Sequence, residues 1–119
     1  MMQVRIRSVP ARRQVRDMQL IKKLSGFIED EIDGARCYAK MAIELKDSRP
    51  EMARRFYNRS LAEMQHADDM HADVVEIIEE YRRKHGDPPR EMQALYDYLH
   101  EQHIEDALEV KVLQNSFKG

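Results

Sequence analysis

Tryptophan is absent from this chain of 119 residues, cysteine occurs once, and glycine and proline four times each. Each scarcity excludes something. A single thiol, Cys37, forms no internal disulfide, so no cystine framework carries the fold, and a reducing, cytoplasmic setting is the expectation. No apolar run approaches the ~18 residues that a membrane span requires. Arginine stands where a signal peptide would have its apolar core. There is no glycine-rich phosphate loop, Walker motif or nucleophile triad, and no internal repeat of fixed period or low-complexity tract. What is abundant is charge, at 35%, and apolar residues, at 42%, with eight methionines. That composition suits one helical domain with one core.

The net charge of -2 selects no class of partner, but its distribution is uneven. Residues 1–16 carry Arg5, Arg7, Arg12, Arg13 and Arg16 and no acid, which leaves the remainder at -7. Val4, Ile6 and Ser8 alternate with Gln3, Arg5 and Arg7, and Pro10 follows. Period two and a proline predict a basic extended arm over residues 1–16, ahead of a single helical domain over 17–119. Such an arm is read as a loose tail or a dimer edge strand, in preference to a nucleic-acid contact.

Within the domain, a first helix is expected to end near Lys46, with Leu20, Leu24, Phe27, Ala35, Tyr38, Ala42 and Leu45 on one line and Glu31 among them. Ser48 and Glu51 have capping-box spacing, and Pro50 suits a first turn. A second helix over about 50–84 then carries Met52, Phe56, Ala67, Met70, Val74, Ile77 and Tyr81 as its stripe. Gly86-Asp87-Pro88-Pro89 separates it from a third, over about 90–116, whose apolar surface is broad enough for more than one neighbour. The fold class is therefore all-α: an antiparallel hairpin plus a third helix, with an oligomer expected.

Three acid-x-x-His spacings occur: Glu63/His66, Asp68/His71 and Asp97/His100. At this spacing a carboxylate and an imidazole share a helix face one turn apart, where both can ligate one cation. Glu63 lies at the centre of the second helix's stripe with His66 inward beside it, whereas Asp68/His71 and Asp97/His100 read as solvated faces. Level is a further criterion. Glu31 is 16 residues before Asp47 and Glu63 is 15 residues after Ser48, so an antiparallel hairpin sets them side by side. Burying such carboxylates unpaired costs several kcal/mol, so they need a cation or an arginine. On the third helix Glu105 is the preferred further ligand, followed by Glu109 and Glu101.

The stretch from Glu31 through Tyr38 to Ala42, followed by Leu61-Ala-Glu63-Met-Gln-His66-Ala67, resembles the first helix pair of the ferritin-like superfamily, and its rubrerythrin-like members in particular, over roughly residues 25–85. The resemblance implies a di-iron carboxylate site, with manganese or zinc as substitutes. Glu31, Glu63 and His66 would be ligands, and Tyr38 a hydroxyl supporting a carboxylate. It further implies Fe(II) oxidation or reduction of O2 or peroxide. The chain departs from the family in ending after three helices, with no second inward Glu-x-x-His and no Cys-x-x-Cys pair. Either Glu105 or Glu109 completes the site, or two chains pair as in encapsulated ferritins; a homodimer is the preferred expectation. The competing expectation is a non-catalytic adaptor or structural bundle, whose signature would be Arg59 clasping Glu63 or Glu31.

Overall fold

The structure, a computed structural model, describes the backbone of residues 2–119 and the side chains of residues 12–119. Among these residues it is all-helical: α1 is Met2–Leu45, α2 is Pro50–His85 and α3 is Arg90–Lys118. Among the described residues, no helix is long and apolar enough to cross a membrane.

Buried positions on the two longest helices recur in sevens. On α1 they step by four and three from Ile21 through Ser25, Ile28, Ile32, Ala35 and Ala39 to Ala42. On α2, Ala53, Ser60, Ala67, Val74 and Tyr81 are each one heptad apart. A period of 3.5 keeps the seam facing its partner along the whole pair, which is the rule of coiled-coil packing. The seam is graded. Near the turn it is built of Ala35, Ala39, Ala42, Ala53, Ser60 and Ala67, and away from it of Ile21, Ile28, Ile32, Val74 and Ile78. Small residues let the helix axes approach at the turn end. Each buried isoleucine contributes roughly 1.5–3 kcal/mol at the other.

The turn itself departs from the expected capping box. α2 starts at Pro50 with Arg49 as its cap residue and no side-chain cap hydrogen bond. Proline holds the residue before it in an extended conformation, so the non-helical position falls on Arg49 (φ -143°), one residue past Ser48. At the other end Gly86 has φ +83°, a left-handed conformation that suits glycine, and its N–H donates to the Arg82 carbonyl at 3.0 Å.

Two further expectations are corrected. α1 begins at Met2, so residues 2–16 of the segment read as an extended arm over 1–16 lie in the helix instead. The alternating side chains Val4, Ile6 and Ser8 lie outside the described ones. Those from Arg12 on show what anchors this end: Arg13 pairs with Asp17, itself buried, at 3.3 Å and with Glu80 of α2 at 3.1 Å. The buried stripe of α1 is also rotated from the expected one. Leu20 and Phe27 are 45% and 48% exposed, while the positions next to them, Ile21 and Ile28, fill the seam. α1 has two adjacent apolar stripes, and its own chain covers the one richer in isoleucine and alanine.

α3 lies closely along α1 and reaches α2 through long side chains. Tyr57 of α2 stacks on Phe117 of α3 with centroids 4.9 Å apart. One buried polar link joins all three helices: Ser60 Oγ donates to the Ala35 carbonyl at 2.7 Å and accepts from Gln114 Nε2 at 2.9 Å. This fixes the height of α2 against α1 in the layer next to Glu63. Ser60→Ala would strand the Gln114 amide and the Ala35 carbonyl without that partner. A loss of about 1–3 kcal/mol in denaturant unfolding is expected, and an unchanged midpoint would contradict the role given to this link.

Candidate metal centre

Glu31 of α1 and Glu63 and His66 of α2 come together on one side of the seam. One ligand atom from each lies within 4.8 Å of the other two. Three ligands about 2.1 Å from one ion stand about 3–3.6 Å from one another, so closing the trio on a cation asks for shifts of up to about an ångström in flexible side chains. His66 Nδ1 is 3.5 Å from Glu31 Oε2, too far for a good hydrogen bond. That oxygen is itself buried, with no hydrogen-bond partner. Glu63 approaches α1 over Gly34: a methyl built there would meet its Oε2 at 3.5 Å. That is an ordinary van der Waals distance, so the carboxylate lies directly against the backbone of α1. Glu31 and Glu63 are half-buried and His66 is exposed, so the trio opens toward the surface.

Arg59, one turn before Glu63, makes no ion pair with either carboxylate among the described residues. Its guanidinium lies over the Phe56 ring at 4.7 Å. Tyr38 packs against the same ring, centroids 5.9 Å apart, and no hydrogen bond from its hydroxyl to the trio is present. The supporting hydroxyl expected at Tyr38 is therefore not in place.

In the structure Glu105 is not brought to the trio. It is exposed and apart from the trio, because α3 buries the opposite side: Met92, His103, Val110 and Gln114 face inward. The stripe that suggested Glu105 is the exposed one, with Tyr98 at 61%, Leu108 at 58% and Val112 at 68%. Glu109 is taken up by Arg36 at 3.3 Å, with Asp106 at 3.7 Å and Asp33 at 2.7 Å around the same guanidinium. Burial lowers the Arg36 pKa, but the Asp33 hydrogen bond and the charges of Glu109, Asp33 and Asp106 outweigh it and hold the pKa above its usual value.

Sequence reasoning missed a second group. His71, read as part of a solvated face, is half-buried, and its Nε2 is 2.7 Å from His100 Nδ1. His103, one turn beyond His100, is only 6% exposed. The available signal was His100-x-x-His103 one turn apart on α3, a His/His spacing beside the acid-x-x-His spacings that were weighed. Burial, then the charges of His100 and His103, lower the pKa of His71 against the opposing pull of Asp68. Burial likewise lowers that of His103, against Glu29 and a hydrogen bond to the Ser25 backbone.

Compared with known proteins, the chain matches no family model, no curated protein and no solved structure.

The two depressed imidazole pKa values give stability a pH dependence. Below the ordinary value of about 6.5 the unfolded chain takes up protons that folded His71 and His103 refuse, so stability is complete above pH 6.5 and falls as pH drops toward their folded values. The melting temperature is expected to fall between pH 7.5 and 5.5, and to fall less in a His71→Gln/His103→Gln variant. A melting temperature that rises over this interval would contradict the burial-based assignment.

Proposed function

We propose that this chain is a metal-binding protein in which Glu31, Glu63 and His66 hold a divalent transition-metal ion, Fe(II) foremost, and that two chains pair to form a di-iron centre. The observation that carries the reading is the buried Glu31 Oε2, without a partner, converging with Glu63 and His66 and unopposed by Arg59. Two carboxylates and one imidazole suit Fe(II), Mn(II) or Zn(II). The donor set fits the group: the two oxygens supply charge, and His66 supplies a neutral nitrogen. Three ligands from one chain leave coordination positions open for a partner's residues or for a small oxidant.

Support for pairing comes from what surrounds the trio. Leu20, Phe27 and Met41 are exposed on α1 at intervals of seven, with Gly34 completing the series between Phe27 and Met41. Met52, Phe56, Met70 and Ile77 continue this surface on α2, each only half-buried. An apolar face with a carboxylate–imidazole cluster at its middle suits a second copy across a two-fold axis, because self-association covers the apolar residues and brings two half-sites face to face. Two Fe(II) ions, if bound there, would supply two electrons, which with two protons suffice to reduce one peroxide to two waters. Glu31 and Glu63 are suited to hold the ions and His66 to fix their orientation. The adaptor alternative rested on a clasp by Arg59, and the stacking of Arg59 on Phe56 gives it no support.

Metal analysis after anaerobic Fe(II) loading and desalting tests the reading. About one iron per chain is expected, in a species that sediments as a dimer, and Glu63→Ala should lower affinity at least tenfold. Iron-free protein, or loading unchanged by Glu63→Ala, would overturn it.

A further inference from the structure

We propose that His71, His100 and His103 form a second metal site, all imidazole and separate from the carboxylate trio, that takes a borderline transition-metal cation, with Zn2+ the best match. Long side chains hold α2 and α3 apart and leave a cavity of about 140 Å³ between them and α1. Its apolar lining includes Ile28, Ile32, Met64 and Ala67, and its polar lining is the three imidazoles with Asp68. None of the three carboxylate-site residues borders it.

Two independent features point to a cation. The first is proximity: His71 Nε2 and His100 Nδ1, from different helices, are 2.7 Å apart, while His103 stands farther off, since among the described residues only Glu31, Glu63 and His66 bring three ligand atoms within 4.8 Å of one another. Replacing the shared proton by an ion with bonds of about 2.0–2.1 Å opens that separation to about 3.3 Å at a tetrahedral angle. The ring that donated changes tautomer, its proton moving to the outer nitrogen, so both lone pairs face the ion and no proton is released. The second feature is His103. It is 94% buried, and its Nε2 has no hydrogen-bond partner. A bare buried nitrogen otherwise goes uncompensated.

The cavity holds more than an ion. At about 30 Å³ per water it also accommodates a completing water ligand, with space for the His103 ring to swing toward the His71–His100 pair. Neutral imidazoles in an apolar surround select zinc, copper or nickel over calcium and magnesium, which require oxygen donors. One ligand comes from α2 and two from α3, so a bound ion ties together two helices that otherwise make few close contacts.

The experiment uses the full chain carrying Glu63→Ala, so that the carboxylate site is disabled, and titrates it with Zn2+ by calorimetry. One Zn2+ per chain is expected, weakened at least tenfold by adding His100→Asn or His103→Asn. The 15N-imidazole spectrum of the Glu63→Ala chain gives a second readout with the cluster intact. His71 Nε2, His100 Nδ1 and His103 Nε2 should shift on zinc addition while His85 does not. No stoichiometric zinc, titrations identical in the His100 and His103 variants, or shifts confined to His66 would each overturn the proposal.

Discussion

Everything in this molecule follows from the close approach of α1 and α2 along a seam that repeats every seven residues. Ala35, Ala39 and Ala42 facing Ala53, Ser60 and Ala67 bring the two backbones together at the turn end, and Ser60 locks their relative height through the Ala35 carbonyl. Once that height is set, Glu31 and Glu63 have no freedom to avoid each other. Two carboxylates and an imidazole are forced into one place, on a face that the third helix leaves open. The helices give up water around charged groups there, and a cation is the most economical compensation available.

α3 has a different role from the one that a fourth-helix substitute would have. It takes the other flank of α1, where Arg36 gathers Asp33, Asp106 and Glu109 and the three histidines line their cavity. The molecule thus gathers two carboxylates and one imidazole on one flank of the hairpin and three imidazoles on the other.

Much of this was legible in the residues. Helix number and turn positions followed from Pro50, Gly86 and Pro88-Pro89, and the level of Glu31 against Glu63 followed from counting outward from the turn. What could not be read was which of two apolar stripes each helix buries in its own chain. On α1, Leu20 and Phe27 look as good as Ile21 and Ile28 by hydropathy, and shape complementarity to α2 decides for the isoleucines. The same ambiguity on α3 favoured Glu105, because Leu108 and Val112 look like core and are exposed. His71 was misjudged because its burial comes from His100, a residue 29 positions away, and no local pattern encodes that pair. The extended arm failed for a similar reason: Arg13 is held by Glu80, on a helix that the arm's own alternation says nothing about.

The account stands on an ion between the first two helices. Crystals grown anaerobically with Fe(II) and measured on both sides of the iron absorption edge test it most directly. The account predicts an anomalous peak about 2.1 Å from oxygens of Glu31 and Glu63 and from a ring nitrogen of His66, paired with its copy across a two-fold axis. A map with no peak there, or with an arginine side chain drawn into that position, would contradict it.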